Sequence, residues 1–196
     1  KPLFFDDKAK HGMSDMMRSY IAGLLHHADA TTLFLAPNIN SYKRFAAGTF
    51  APTKAVWSMD NRTAGYRVCG ENSNAVRVEC RVGGADLNPY LALAAQIAAG
   101  LDGIEKGLKL EDEFRGDAYT AKNIREIPKT LRDAAAAFGK SKMLRAALGD
   151  DVVDRLELAV AADEYDRRIG IDPQEIVIGI QRKGRFLHNP VEDFRT

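Results

Sequence analysis

The chain has 196 residues, 45% of them hydrophobic and 28% charged, with two cysteines, which excludes disulfide-scaffold, collagen-like and disordered proteins. Its 28 lysines and arginines balance 27 aspartates and glutamates to a net charge of +1, so we expect no general binding of nucleic acid or of an anionic membrane. No apolar run reaches the roughly 18 residues of a membrane span, and the first residues lack a signal-peptide pattern. We therefore expect a cytoplasmic protein, in which the two cysteines are reduced.

The first part of the chain predicts one helix followed by strands. Apolar residues at three- and four-residue spacing predict an amphipathic helix over residues 15–29, with Ser14 as its N-cap. His26 and His27 fall in its last turn, and adjacent helical positions point about 100° apart, so we interpret them as an end-of-helix pair rather than metal ligands. Residues 33–82 contain short apolar runs broken by proline, asparagine and glycine, which predicts strands joined by long loops.

The second half of the chain predicts helices. Asn88 followed by Pro89 predicts the start of a helix that reaches about residue 101 and is buried, because it is apolar on nearly every side. After an acidic, glycine-bearing stretch, amphipathic helices are predicted at 130–138, with a continuation to about 148, and at 151–168. Residues 176–180 have the pattern of a short strand within a basic, peripheral end segment.

Positive charge is concentrated between residues 43 and 81. This segment contains seven basic and three acidic residues, a local excess of +4. Strict alternation over residues 76–82 puts Arg77, Glu79 and Arg81 on one face of a strand, about 7 Å apart. A carboxylate between two guanidiniums stays ionised and suits Mg²⁺ or Mn²⁺, while the arginines can hold oxyanions. The alternative is a solvated strand face with Arg–Glu ion pairs that contribute little.

A neighbouring loop favours the functional interpretation of this strand. Arg62 lies in a turn and Arg67 on a following strand, an arrangement that could clamp phosphate. The chain has no Walker-type phosphate loop and no glycine fingerprint for dinucleotides, so P-loop and Rossmann folds are unsupported.

Four motifs follow one another along the chain: Asn40-Ser41-Tyr42-Lys43-Arg44, Asp60-Asn61-Arg62 with Arg67 five residues later, Arg77-Val78-Glu79-Cys80-Arg81, and Asn88-Pro89-Tyr90-Leu91-Ala92. In this order and spacing they resemble the C-terminal catalytic part of the glutamine synthetase family, over residues 1–168. The resemblance implies an α/β (α+β) fold in which an antiparallel sheet is backed by helices, incomplete at its N-terminal side. Residues 169–196 form a divergent tail outside it.

The resemblance implies an ATP-dependent ligase that activates glutamate as γ-glutamyl phosphate, which ammonia or an amine then attacks. It also implies the role of each matched residue and a homo-oligomeric ring in which adjacent subunits share each active site. Glu79 would be a ligand of Mg²⁺ or Mn²⁺, Arg62 would contact the transferred γ-phosphate, Arg67 and Arg77 the nucleotide phosphates, and Arg44 and Arg81 the carboxylate of glutamate.

Phe50 departs from the ammonia-using members of the family, which carry an acidic residue at this position. A phenyl ring cannot take a proton from ammonium but could stack over a longer amine. Together with Trp57 and the Gly83-Gly84-Ala85-Asp86 turn, this resembles the glutamate–polyamine ligase branch, including γ-glutamylputrescine synthetase. The alternative is that Phe50 only packs its loop.

Another departure from the family pattern concerns the metal ligands. The family's remaining metal ligands would lie ahead of Lys1, so we expect this chain alone not to turn over. A non-catalytic relative that serves as a structural or assembly partner is the alternative function. Tyr119 falls where regulated bacterial relatives carry their modified tyrosine, and we interpret it as a plain surface tyrosine.

Overall fold

The computed structural model describes residues 2–46, 49 and 51–168, with side chains described up to residue 160. The chain divides into two compact units, Lys1–Asp154 and Arg155–Thr196. The described helices are α1 (Asp15–His26), α2 (Ala28–Leu35), α3 (Pro89–Glu105), α4 (Leu131–Gly139), α5 (Lys142–Leu148) and α6 (Asp150–Arg168). The described strands are β1 (Trp57–Met59), β2 (Tyr66–Cys69) and β3 (Arg77–Cys80), and 3₁₀ helices cover Lys10–Gly12 and Ile39–Arg44. The predicted strand at 176–180 lies outside the described residues, and the predicted boundary at 168 stays a prediction.

The single helix predicted over residues 15–29 is two helices. Ser14 caps α1 as expected, its hydroxyl accepting from the Met17 amide at 3.2 Å. The helix breaks at His27, and α2 then continues to Leu35, so residues 33–35 are helical and not the start of a strand region. Every residue of α2 except Asp29 is buried, so no polar face marks a helical period in the sequence.

Helices α1 and α3 cross with their backbones in close contact. A Cβ added at Gly23 would lie 2.2 Å from the Ala99 carbonyl oxygen, and one at Gly103 would lie 2.3 Å from that of Ser19. Only glycine permits this approach. The opposite face of α3 was predicted to be buried but is exposed in this chain, through Tyr90, Leu93, Ile97 and Leu101.

The core of the first unit continues between α2 and α4. The rings of Phe34 and Phe138 meet edge to face with centroids 5.3 Å apart. Thr130 caps α4 and Ser141 caps α5, so the predicted continuation to residue 148 is a separate helix.

The sheet has the order β1-β2-β3 and is mixed. Strand β2 pairs antiparallel with β3, as predicted, but parallel with β1, which corrects the expected antiparallel sheet. Parallel neighbours usually need a long crossover. Here the paired stretch is three residues, roughly 10 Å long. Residues 60–65, which we call the arginine loop, are therefore enough to lead the chain back to the start of β2.

Among residues 2–168 as described, no helix is long and apolar enough to cross a membrane. Both cysteines are free thiols, with Cys69 buried and Cys80 partly buried.

Candidate active site

Glu79 lies between two guanidiniums on the polar side of the β2–β3 pair. The antiparallel register places it directly opposite Arg67, whose Nη1 donates to Glu79 Oε2 at 3.1 Å. Arg81, two residues further along the chain, donates from Nη1 to Glu79 Oε1 at 3.0 Å. The Glu79 side chain is 43% exposed, whereas the Arg67 and Arg81 side chains are 20% and 17% exposed. The two arginines are thus partly desolvated and fixed on one carboxylate.

Arg77 does not join this arrangement. The alternation predicted that Arg77 and Arg81 flank Glu79, but Arg77 pairs in register with Cys69 at the other end of β3. Its guanidinium is exposed and donates to the carbonyl of Ala75 at 3.2 Å. The second guanidinium on Glu79 comes from the neighbouring strand because cross-strand neighbours lie closer than residues two apart on one strand.

The arginine loop is held against this cluster through its backbone. Arg81 Nε donates to the Arg62 carbonyl oxygen at 3.0 Å. Arg67 Nη2 donates to Asp60 Oδ1 at 2.5 Å, and Asn61 folds the turn by accepting from the Thr63 amide. The Arg62 side chain itself is exposed. The loop therefore presents the Arg62 guanidinium to solvent, whereas Arg67 and Arg81 are ion-paired with Glu79.

Arg44 reaches the same region from the end of the 3₁₀ helix Ile39–Arg44. Its Nη2 donates to the carbonyl of Val82, next to Arg81 in the chain. Burial lowers the pKa of Arg44, and the positive charge of nearby Arg81 lowers it further, while Asp86 acts in the opposite direction. Arg44 and Arg81 are both partly buried and repel each other. An anion that binds to both would therefore stabilise their positive charges.

Residues 111–119 belong to the site, although no sequence pattern predicted it. The Phe114 amide donates to the Trp57 carbonyl at 3.1 Å, so this segment lies along β1. Farther on, Asn61 donates to the Gly116 carbonyl at 2.8 Å, and the Ala118 amide donates to Thr63 Oγ1 at 2.9 Å. Apolar and polar residues do not alternate in this segment, so its hydrophobic pattern predicted neither a strand nor a position beside the sheet.

Tyr119 ends this segment and is not a plain surface residue, because its hydroxyl oxygen is buried. That corrects the expectation from the sequence.

An open pocket of about 570 Å³ lies beside the arginine loop. Of the predicted site residues, Arg62 lines it, together with His11, Glu71 and Glu113. His11 Nδ1 lies 2.6 Å from Glu71 Oε1 and its Nε2 3.8 Å from Glu113 Oε2.

The described residues alone do not form a metal site. Within them, no group of three histidine, cysteine, aspartate or glutamate side chains is placed to hold an ion. Glu79 contributes one carboxylate, and both of its oxygens already accept from arginines. A divalent ion needs more oxygen ligands than this, so we assign no step to a metal.

Two further predictions have different outcomes. His26 ends α1 and His27 is its C-cap, which confirms the predicted end-of-helix pair. His27 Nε2 also lies 2.7 Å from Asp102 Oδ2, a contact that was not predicted. Phe50 lies outside the described residues, and its role stays a prediction.

Comparisons with known proteins agree with the resemblance. The family model described as glutamine synthetase, catalytic domain, matches residues 1–176. The γ-glutamylethanolamide synthetase GlnA4 of Streptomyces coelicolor is 49% identical over 160 residues, which are 81% of this chain and 34% of that protein. A glutamate–isopropylamine ligase of a Pseudomonas species is 36% identical over 155 residues, 78% of this chain and 34% of that protein.

The fold agrees as well. A solved ADP complex of GmaS matches with a TM-score of 0.71 and 29% identity, covering 86% of this chain and 42% of that one. The chain spans about a third of the length of the two curated relatives. It belongs to the glutamine synthetase family, as part of the catalytic domain.

Proposed function

We propose that this chain is the part of an ATP-dependent γ-glutamyl ligase that binds glutamate and the phosphates of ATP. The observation that carries the proposal is the cluster in which Arg67 and Arg81 hold Glu79, while Arg81 also holds the arginine loop. Phosphoryl transfer needs positioning and charge neutralisation more than covalent chemistry from the protein. A rigid group of arginines around one carboxylate supplies both.

In this proposal glutamate lies with its α-carboxylate on Arg44 and Arg81, the two guanidiniums that repel each other without an anion. Its γ-carboxylate oxygen attacks the γ-phosphorus of ATP, ADP leaves, and Arg62 neutralises the transferred phosphoryl group. An amine nitrogen then attacks the acyl carbon, the amine proton is lost, and phosphate leaves. Arg67 and Arg77 would contact the nucleotide phosphates. Glu79 would be one ligand of Mg²⁺ or Mn²⁺, with further ligands from outside the described residues.

The acceptor in this proposal is ammonia or an organic amine. The 49% identical relative is named for an ethanolamide product, and a second relative for isopropylamine. These names and Phe50 favour an organic amine, with polyamines included in the range. We also propose a homo-oligomeric ring, as the family resemblance implies.

The first arm of the test is binding. Titration calorimetry of the 196-residue chain should show binding of ADP and of glutamate. A chain that binds neither would contradict the proposal and would favour a non-catalytic, structural role.

The second arm is turnover, measured in a chimera in which this chain replaces the aligned third of the Streptomyces enzyme. Phosphate release with ATP, Mg²⁺ and glutamate is followed with ammonia, ethanolamine, isopropylamine, putrescine and spermidine. Arg62→Ala should lower turnover by about 10³-fold, as loss of a transition-state arginine does, and leave glutamate binding within twofold. Lys109→Ala, at an exposed lysine, is the control. No phosphate release with any amine, or only a modest effect of Arg62→Ala, would overturn the assignment.

A further inference from the structure

Tyr119 carries a buried polar atom whose hydrogen-bonding capacity is not used. Its hydroxyl oxygen is buried and has no hydrogen-bond partner among the described residues. A buried hydroxyl without a partner costs free energy, typically about 1–3 kcal/mol. Such a group in a binding region points to a partner that arrives with the ligand.

The position of the phenol is fixed by its own segment. The Tyr119 amide donates to Asp117 Oδ1 at 2.9 Å, and the preceding residue, Ala118, is fully buried and donates to Thr63 of the arginine loop. The Tyr119 backbone is therefore held next to the loop that carries Arg62.

The charged groups that act on the phenol are Asp117 of its own segment and the two arginines assigned to the carboxylate of glutamate. Burial raises the pKa of Tyr119, while the positive charges of Arg81 and Arg44 oppose this shift and Asp117 adds to it. A guanidinium has only donors and no acceptor. Arg81 and Arg44 can therefore donate to the phenol oxygen but cannot accept its proton.

The missing partner must be a hydrogen-bond acceptor that two guanidiniums also attract. A carboxylate meets both conditions, because it has lone pairs for several donors and a negative charge. Ammonia can accept a hydrogen bond but has no negative charge for the guanidiniums to attract, and an amine cation meets neither condition.

We propose that the Tyr119 hydroxyl donates a hydrogen bond to the α-carboxylate of the amino-acid substrate, beside Arg44 and Arg81, and thereby contributes to selection for an α-amino acid. This inference rests on the proposed function, since it concerns the same glutamate site. The α-carboxylate is the candidate because the proposed function places it on Arg44 and Arg81, whereas the γ-carboxylate is consumed in the reaction with ATP. A site with an otherwise unpaired donor discriminates against ligands that lack the matching acceptor.

The test compares glutamate with 4-aminobutyrate, which lacks only the α-carboxylate. Calorimetry of the full 196-residue chain should show that Tyr119→Phe weakens glutamate binding about tenfold, the effect of one hydrogen bond to a charged group. The same variant should bind 4-aminobutyrate within twofold of the wild-type chain. Tyr90→Phe is the matched control, because Tyr90 is 84% exposed on α3, and it should change neither affinity.

The outcomes separate this inference from the proposed function. A wild-type chain that binds no glutamate overturns both. A wild-type chain that binds glutamate, with Tyr119→Phe unchanged, overturns the role of Tyr119 alone. Equal losses for glutamate and 4-aminobutyrate also overturn it, since they would indicate a general structural effect. Urea unfolding of the variant establishes that it is folded at the titration temperature.

Discussion

Arg81 holds two different groups with one guanidinium. Its Nε donates to the carbonyl of Arg62 and its Nη1 to Glu79, so it joins strand β3 to the arginine loop. The planar fork of arginine donates in two directions at once, which the single ammonium group of lysine cannot reproduce at the same distance.

Arg81→Lys should therefore weaken glutamate binding about tenfold or more although the positive charge remains. The arginine loop should also become more sensitive to proteolysis, because its carbonyl anchor is lost. Arg155→Lys, at an exposed position of α6, is the matched control and should alter neither. A glutamate affinity within twofold of the wild-type chain would show that only the charge of Arg81 matters.

At this scale the sequence predicted that Arg81 lies beside Glu79, but not that the second arginine is Arg67. Alternation along one strand reveals a shared face, whereas the partner across the sheet depends on a register that no single strand encodes. Arg67 therefore takes the place expected for Arg77. Tyr119 lies about forty residues along the chain from Glu79, and only the folded structure brings its segment to the arginine loop.

The crossing of α1 and α3 rests on small residues. Helix propensity alone predicts that Gly103→Ala stabilises the protein by about 1 kcal/mol. The structure predicts the opposite sign, because the new methyl group would lie 2.3 Å from the Ser19 carbonyl oxygen and 2.6 Å from Gly23 Cα. We expect a net loss of about 2 kcal/mol in the free energy of unfolding, as overpacking produces.

Urea unfolding measures this change directly. Ala98→Gly on the same helix serves as the reference for propensity and should cost up to about 1 kcal/mol. A Gly103→Ala variant as stable as the wild-type chain would mean that the two helices are not in contact at this point.

A second contact between these helices is sensitive to acid. Burial raises the pKa of Asp102, but hydrogen bonds from Lys106 and His27 outweigh it and hold the pKa below its ordinary value of 3.8. Burial lowers the pKa of His27 from its ordinary 6.5, although Asp102 opposes this. Both groups have a lower pKa in the folded state. They therefore favour folding above these ordinary values, and this stability is lost as the pH falls through the folded-state values.

Urea unfolding from neutral to acid pH should show two declines, one beginning below pH 6.5 and one below pH 3.8. Asp102→Asn should make the lower decline smaller, while Asp86 and Glu126, whose pKa values are also lowered in the folded state, maintain the rest of it. The substitution should cost about 1–2 kcal/mol at neutral pH, because charge-assisted hydrogen bonds are lost. Wild-type and variant curves that fall in parallel at the acid end would contradict the role of this carboxylate.

Elements with a cap or a polar face were predictable, and elements without one were not. Ser14, Asn88 and Thr130 each cap a helix where the sequence placed a start. Helix α2 lacks a side-chain cap and is buried almost all round, so its residues had the same pattern as a buried strand. The parallel pairing of β1 with β2 was missed because a short connection normally joins antiparallel strands.

For the molecule as a whole, the described residues offer a metal ion a single site carboxylate, that of Glu79, so we expect weak metal binding. Glu79 is occupied by two arginines, and the described residues offer no three-ligand group. The affinity of this chain for ADP should change by less than about threefold between excess Mg²⁺ and EDTA, since one protein carboxylate adds little to the hydrated ion.

The same measurement in the chimera with the Streptomyces enzyme should show strong dependence on Mg²⁺, and Glu79→Gln should abolish it there. Tight, Mg²⁺-dependent ADP binding by the isolated chain would show that it holds a metal site of its own.

The 196 residues contain a single tryptophan, and its position makes it an optical reporter. Trp57 is 4% exposed in β1, and its indole nitrogen donates to the Glu111 carbonyl at 2.8 Å. Indole fluorescence depends on such bonds and on nearby water, so a ligand that displaces residues 111–119 would change the emission spectrum without any label. Substrate-induced motion at this edge of the sheet can thus be followed in real time by stopped-flow mixing.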